Sequence, residues 1–476
     1  MSASFTIDMH CHSSMKPYGK SFDKDFINNP LPSENNSIYY YNPPTPKEKI
    51  LNIATTITRF SQSGFTALHK GNIKVIGASL YPAERGFFNG KLGTGKITDT
   101  ISDFITGFGK TRIDFIQSNH DYFTDLKREY EFYRQLHGTM VKVEGKDIEY
   151  RITRNMHELS QNINNTVTDT LSVILTIEGF HAFNSYANRR AEVNEILNNV
   201  YDLKSWEYRP LFISAGHHFY NGMCGQAYSL SGITGYILDQ SFGADTGISS
   251  LGFDVIGALL NNTNHNRIHI DVKHMSVESR KQYYKYLEDK PDIPVIVSHG
   301  AINGLESFEN RINTFSNGKN VFNQADINFF DNEIIKIADS KGIFCIQLDE
   351  RRLANKEQLK QSFFNLSKKR MLTNRSELLW NQVRHIGEIL DKNGRNAWTI
   401  AAIGSDFDGI VDPVNGFWTA EEFPLLKEYL RVHAKNYMAA DGKNLQLNIN
   451  KNIAPEEIIE NLFVNNAMHF LGLYLR

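Results

Sequence analysis

The chain has two histidines at a spacing suited to metal binding. They lie in the segment Phe5–His12, where strand-like alternation places Asp8, His10 and His12 on one face. Two imidazoles two residues apart on one face can bind a single cation. The intervening Cys11 falls on the opposite face, where we expect a small buried hydrophobic residue and not a ligand.

Ligand-type residues also follow five later segments that have the composition of buried strands. Ile400–Gly409 is an apolar run that ends at Asp406 and Asp408, and these carboxylates need water, a cation or a substrate as a partner. The other four segments end with Glu178, with the pair His217 and His218, with His274 and with His299. We expect Lys273, which precedes His274, to point the other way from it.

The elements that must position these residues are strands separated by helical patterns. Such alternation indicates βαβ units and a parallel sheet. Eight strands predict an α/β protein with a (β/α)8 barrel of the TIM type, forming a single domain over residues 1–476. We predict an insertion at about 97–156, with helices before a hairpin around Gly145, and C-terminal helices outside the barrel. Because barrel active sites lie at the carboxyl ends of the strands, the ligand-type residues should meet at one rim.

Each of these residues has an ordinary structural explanation when it is taken alone. A single strand-end histidine such as His299 is more often a hydrogen-bonded packing residue than a ligand. Glu178 alone could begin a helix, and Asp406 alone could cap a turn. Packing does not require ligand-type residues at so many strand ends, so the set predicts a metal site. Imidazole suits zinc and similar ions, and a bridging carboxylate can hold a pair of ions that acidify a bound water.

Composition argues against several classes of partner. The 476 residues include 51 Lys and Arg against 53 Asp and Glu, and this balance predicts neither a nucleic-acid nor a membrane-surface partner. No uninterrupted apolar run of about eighteen residues predicts a membrane-spanning helix. The three widely separated cysteines argue against a disulfide framework, and the N-terminus lacks signal-peptide features, so we expect a cytoplasmic protein.

The motifs together resemble those of the membrane (renal) dipeptidases, which are zinc dipeptidases of the amidohydrolase superfamily. The matching segments occur in the order found in that family: Ile177–Gly179, His218–Asn221, Gly247–Gly252, Ile270–Ser276, Val295–His299 and Gly404–Gly409. The resemblance implies two divalent metal ions, with zinc as the expected metal, and a small peptide or amide as substrate. It also suggests a homodimer.

The resemblance further assigns roles by position. It implies one ion held by His10, His12 and Glu178 and a second held by Glu178, His274 and His299. It implies that His218 contacts the substrate carbonyl as its oxyanion forms. Asp406 would orient a hydroxide that bridges the ions and pass its proton to the leaving amine.

Two positions depart from the family pattern. The family's first motif is His-x-Asp, so His12 replaces an anionic ligand with a neutral one and leaves the site more positive. The family's arginine for the substrate carboxylate is expected just before Asn328, but Ile327 occupies that position. Arg311, from the same loop, is the candidate substitute for substrate binding.

These observations predict a metal-dependent hydrolase that resembles a dipeptidase. The two departures leave open a catalytically silent, metal-binding homologue that acts as a ligand-binding protein. A hydrolase of a lactone, phosphoester or cyclic amide also stays open, because similar barrel sites carry out several such reactions.

Overall fold

A computed structural model describes residues 5–23, 33–88, 103, 106–118, 121–185, 192–230, 238–316, 318–363 and 367–476. Its strands are β1 (Thr6–Cys11), β2 (Ile73–Leu80), β3 (Val141–Val143), β4 (Lys146–Ile152), β5 (Asp169–Glu178), β6 (Phe212–Ser214), β7 (His269–Asp271), β8 (Ile296–Gly300), β9 (Ile343–Ile346) and β10 (Ala401–Ile403).

The helices fall mainly between these strands. They are α1 (Met15–Ser21), α2 (Pro46–Thr55), α3 (Phe65–Lys70), α4 (Lys110–Ser118), α5 (Tyr122–Gln135), α6 (Met156–Ile163), α7 (Val193–Lys204), α8 (Ser250–Leu260), α9 (Val277–Tyr286), α10 (Asp331–Asp339), α11 (Glu350–Leu353), α12 (Lys356–Phe363), α13 (Lys368–Lys392), α14 (Phe423–Ala439), α15 (Asn448–Lys451), α16 (Pro455–Glu460) and α17 (Asn466–Tyr474). Within the described ranges, none of these helices is both long and apolar enough to cross a membrane.

Eight parallel strands form a nearly closed barrel. Their order around the sheet is β1-β2-β5-β6-β7-β8-β9-β10, and each hydrogen-bonded neighbour in this order runs parallel. The predicted α/β barrel of the TIM type is therefore confirmed. All six residues of β1 are buried, Cys11 included, as expected for a barrel strand covered by other elements on its outer face.

The first and last barrel strands meet through backbone hydrogen bonds just beyond their ends. The His12 amide donates to the Phe407 carbonyl at 2.8 Å, and the Asp406 amide donates to the His10 carbonyl at 2.9 Å. The fully buried Asp8 carboxylate accepts from the Ser405 amide at 2.8 Å and from its hydroxyl at 2.5 Å. These contacts, here called the barrel seam, bring His10 and His12 next to Asp406.

A hairpin extends the sheet beside β5. β3 and β4 pair antiparallel, and the two loop residues, Glu144 and Gly145, both have positive φ, as the two-residue hairpin turn requires. β4 then pairs parallel with the first half of β5. This is the hairpin predicted at the end of the insertion, whose first residues, 97–102, lie outside the described part. The single-domain assignment stays a prediction.

The C-terminal helices contact the last barrel strand. Asn466, at the start of α17, donates to the carbonyl of Ala401 in β10 at 2.8 Å and to that of Trp398 at 3.0 Å. Because Asn466 is itself buried, these bonds also satisfy a side chain that could not reach bulk water.

The barrel seam can be tested by removing the Asp8 carboxylate. Asp8→Ala leaves the buried Ser405 amide without an acceptor and its hydroxyl with only the His10 carbonyl at 3.4 Å, so we expect the apparent free energy of unfolding to fall by about 2–4 kcal/mol. Asp8→Asn keeps an acceptor oxygen and should lose less. Urea unfolding followed by circular dichroism measures both. Asp292→Ala is the control because that carboxylate is largely exposed and pairs only with Arg267 in the described part. Equal losses for Asp8→Ala and Asp292→Ala would contradict the role of the seam.

Candidate metal centre

The carboxylate of Glu178, the last residue of β5, lies buried among five imidazoles, four of which belong to predicted ligands. His12 Nε2 is 3.2 Å from Oε2, while the Nε2 atoms of His10, His299 and His274 are 3.4, 3.4 and 3.6 Å from Oε1. Oε1 has no hydrogen-bond partner among the described residues. A buried carboxylate oxygen without a donor needs a positive partner, which a metal ion would supply.

The spacing of the ligand atoms fits tetrahedral metal ions. His10 and His12 bring their Nε2 atoms to 3.3 Å, and His274 and His299 bring theirs to 3.2 Å. Two ligands of one tetrahedral zinc ion, each about 2.0–2.1 Å from it, are about 3.3 Å apart. Four groups of ligand atoms lie together among the described residues, and two of them are the predicted sets, His10 with His12 and Glu178, and Glu178 with His274 and His299. The residues present therefore suit two ions that share Glu178.

Two site residues have left-handed backbone conformations just beyond their strands. His274 has φ 65° and Asp406 has φ 60°, in a region that non-glycine residues seldom adopt. Such conformations cost of order 1–3 kcal/mol each and occur mainly where the surrounding structure imposes them at functional sites.

A hydrogen-bonded chain fixes the tautomer of His299. The Ser298 hydroxyl donates to Asp271 Oδ2 at 2.6 Å, which uses its only proton. Ser298 Oγ lies 2.9 Å from His299 Nδ1 and therefore accepts a hydrogen bond from it. With its proton on Nδ1, His299 presents an unprotonated Nε2 to Glu178, as a metal ligand must.

The site places opposing electrostatic influences on its titratable groups. Burial acts to raise the pKa of Glu178, but the nearby charges of His217, His10 and His12 hold that pKa well below its usual range. Burial acts to lower the pKa of His12, yet Asp406 and Glu178 raise it to about 10. Burial, His217 and Lys273 together lower the pKa of His274 to about 3. The carboxylates thus stay ionised within the cluster.

Asp406 is held in one orientation at the edge of the cluster. Gln347 Nε2 donates to its Oδ2 at 2.7 Å, while its Oδ1 faces the Nε2 atoms of His12 and His10 at 3.3 and 3.6 Å. Burial would raise the pKa of Asp406, but His299, His10 and His12 hold it well below the usual range. Asp406 is therefore an ionised carboxylate directed at the predicted ligands.

The neighbours of His218 determine which of its nitrogens carries the proton. Gln240 Nε2 donates to Ser229 Oγ at 2.8 Å, so the Ser229 hydroxyl is free to donate to His218 Nδ1 at 2.5 Å. Burial and the charges of His217 and His274 hold the pKa of His218 well below its usual range. A neutral His218 with an occupied Nδ1 carries its proton on Nε2, which makes Nε2 a donor and not a ligand.

His217 also reaches the site, although the motif comparison selected His218. Its Nε2 lies 3.1 Å from Glu178 Oε2 and its Nδ1 lies 2.5 Å from Glu84 Oε2. Burial opposes its positive charge, but the two carboxylates raise its pKa to about 9. The adjacent pair of histidines was a sequence signal for His217, whereas nothing in the sequence pointed to Glu84.

The expectation that Lys273 points away from the site is wrong. β7 ends at Asp271, so strand alternation does not extend to Lys273, and His274 has a left-handed backbone. The buried Lys273 ammonium donates to Gln347 Oε1 at 3.4 Å. The Nε2 atom of the same carboxamide donates to Asp406. Burial and the charge of Arg352 lower the pKa of Lys273 to about 7.

Two other residues considered from the sequence lie in separate surroundings. Arg311 pairs with Asp326 at 2.6 Å and its side chain is 47% exposed. Asp408 accepts from Lys16 Nζ at 2.9 Å and from the Ser63 amide at 2.8 Å, so this buried carboxylate has ordinary protein partners. No described residue of the metal cluster contacts either of them through a hydrogen bond or ion pair.

Comparison with known proteins defines the class of fold. No family model matches the chain, and no curated protein sequence matches it. A metallopeptidase from Rhodobacter sphaeroides, solved with a phosphinate mimic of the dipeptide L-Ala-D-Ala, has a similar fold, with a TM-score of 0.50, 11% identity and 99% of each chain covered. This similarity supports the (β/α)8 barrel as the fold of the chain.

Two further structures are similar over nearly the whole chain. Dipeptidase AC, a metallopeptidase, matches at 11% identity and a TM-score of 0.49, covering 99% of this chain and 98% of its own. The probable dipeptidase PvdM from Pseudomonas aeruginosa matches at 12% identity and a TM-score of 0.49, covering 99% and 96%.

The shared position of Glu178 leads to a prediction about metal content. After equilibration with zinc and dialysis, we expect two ions per chain in the wild type, one in His274→Ala and fewer than one in Glu178→Gln. Glu178→Gln affects both sets because it removes the charge that they share. Elemental analysis by mass spectrometry measures the content, and zinc should raise the melting temperature of the wild type. His157→Ala, which changes an exposed histidine of α6, is the matched control. Unchanged metal content in both Glu178→Gln and His274→Ala would contradict these ligand sets.

Proposed function

We propose that this protein is a metal-dependent hydrolase that cleaves small peptides or amides in the manner of a dipeptidase. The observation that carries the proposal is the buried Glu178 carboxylate with five imidazole nitrogens 3.1–3.6 Å from its oxygens. Two divalent ions, with zinc as the expected metal, would be held by the predicted ligand sets. When bound, these ions would acidify a water molecule and polarise the scissile carbonyl.

Asp406 is the residue to which we assign proton transfer. Its Oδ1 faces the cluster, while Gln347 occupies its Oδ2, so one oxygen remains to receive a proton. An ionised carboxylate in this position would accept the proton of the attacking water and deliver it to the leaving amine. The hydrogen bond from Gln347 keeps the carboxylate from rotating away during that transfer.

His218 is the residue to which we assign stabilisation of the developing oxyanion. Its tautomer, fixed by Ser229, carries a proton on Nε2. A donor held in place beforehand stabilises charge on the carbonyl oxygen without reorganisation during the reaction. His217, bound to Glu84 and Glu178, instead supports the carboxylate at the centre of the cluster.

The approach to Glu178 favours a substrate with an apolar group. A small cavity touches Glu178, His12 and His218, and its remaining wall is mainly apolar: Met15, Tyr81, Phe87, Phe88 and Phe108. An apolar side chain of the substrate would remove water from this wall and gain about 25 cal/mol per Å² of buried apolar area. A dipeptide with a small apolar side chain suits this arrangement.

The proposal can be tested with a panel of dipeptides, including L-Ala-D-Ala. We expect the zinc-loaded protein to hydrolyse one or more of them and Asp406→Asn to lower kcat by about 10²- to 10⁴-fold while retaining zinc. Asp408→Asn is the matched control, since Asp408 lies on the same loop but contacts Lys16 and Ser63, so it should affect stability more than turnover.

The same assay separates the alternatives. A zinc-loaded wild type that is folded but inert toward peptides, amides, lactones and phosphoesters would overturn the proposal and favour a silent ligand-binding protein. Turnover restricted to lactones or phosphoesters would retain the hydrolase and overturn the peptide substrate.

A further inference from the structure

A second cavity lies between helices α13 and α14, on the outside of the barrel. Its volume is about 410 Å³, within the range of about 300–1,000 Å³ that is typical of ligand pockets. Among the described residues, it shares no lining residue with the cavity that touches Glu178. The two cavities are therefore separate sites.

One face of α13 supplies polar and aromatic side chains to this cavity. The lining residues of α13 are Glu377, Trp380, Asn381 and Arg384. Their spacing of three and four residues places them on one side of the helix. Trp380 is 4% exposed and Asn381 is 8% exposed, yet neither side chain has a hydrogen-bond partner among the described residues. Because buried polar groups normally have partners, the indole N–H and the Asn381 amide are available to a ligand.

The charges that line the cavity do not cancel. Arg384 Nε pairs with Glu388 at 2.7 Å, and its Nη2 lies 3.5 Å from Asp441, so this cation is already neutralised. Burial lowers the pKa of His433 in the facing helix α14 and favours its neutral form. Glu377 forms no ion pair or hydrogen bond with a described residue. The cavity therefore retains a carboxylate that lacks a positive partner.

Aromatic rings form another part of the wall. Trp380 and Tyr437 lie edge to face, with ring centroids 5.8 Å apart. The Arg384 guanidinium lies 5.1 Å from the ring centroid of Tyr437 and 5.9 Å from that of Phe315. Aromatic rings attract cations and provide apolar surface. This wall already holds one cation and can pack the apolar part of a second.

We propose that this cavity binds a small organic cation, a protonated primary amine that carries an apolar group. The Glu377 carboxylate and the Asn381 carbonyl oxygen would accept hydrogen bonds from the ammonium. The apolar group would pack against Trp380. A neutral ligand leaves Glu377 without a counter-ion, and an anionic ligand is repelled by it. No predicted metal ligand lines the cavity, so the site is independent of the proposed hydrolase.

Three probes that share a phenyl group and differ in charge test the site. Phenethylamine, phenethyl alcohol and hydrocinnamate are titrated calorimetrically into the zinc-loaded protein. We expect the amine to bind about 10- to 100-fold more tightly than the alcohol, because hydrogen bonds to charged groups supply a difference of that size. The carboxylate probe should bind more weakly than either. Glu377→Gln should reduce the ratio of amine to alcohol affinity to about one.

Two further variants separate the cavity from general damage. Glu428→Gln is the matched control, because Glu428 is an exposed carboxylate of α14 that does not line the cavity. It should keep the wild-type ratio. Asn436 is exposed on the cavity wall, so Asn436→Arg carries little risk to folding. Its added positive charge should weaken amine binding by about 10-fold. Circular dichroism checks that each variant is folded.

The location of binding is checked by a change at the metal centre, since an amine can also bind zinc. Glu178→Gln should keep the preference for the amine. Binding that is lost in Glu178→Gln and retained in Glu377→Gln overturns the cavity site. Equal affinity of the wild type for the amine and the alcohol, or no binding of the amine at millimolar concentration, also overturns it. The dipeptide panel judges the proposed hydrolase separately, so neither result bears on it.

Discussion

The site depends on the closure of the barrel between its first and last strands. The backbone bonds from His12 to Phe407 and from Asp406 to His10, with the Asp8 carboxylate on Ser405, join segments about 400 residues apart in the chain. The carboxyl ends of the parallel strands all lie on one side of the sheet. Closure of the barrel therefore arranges these ends in a ring. Without it, the two histidines of β1 would not face Asp406.

Within that ring, the buried carboxylates are the groups that most need support. Glu178 and Asp406 are ionised in a poorly solvated place, and imidazoles provide the surrounding positive charge. Hydrogen bonds then fix the orientation of the cluster, from Gln347 to Asp406 and from His299 to Ser298. Each of these contacts reduces the freedom of a side chain before any ligand binds, which is the arrangement that favours precise metal and substrate geometry.

The side chains of this site carry less negative charge than the dipeptidase motif would. A histidine, His12, stands where the family has an aspartate, and the cationic side chains of Lys273 and Arg352 also lie close to the site. Neither side chain forms an ion pair with a carboxylate in the described part of the chain, although Asp406 acts on the charge of both.

The sequence by itself determined the order of the eight barrel strands and a set of ligand-type residues at their ends, because burial and alternation are local patterns. His10, His12, Glu178, His274 and His299 converge because the ends of parallel strands converge. The tertiary structure alone decided the inward position of Lys273, the contact of Glu84 with His217 and the link from Arg352 through Ser229 to His218. Those placements depend on loop residues beyond the strand ends, where backbone conformations such as that of His274 no longer follow the strand period, and on packing between segments far apart in the chain.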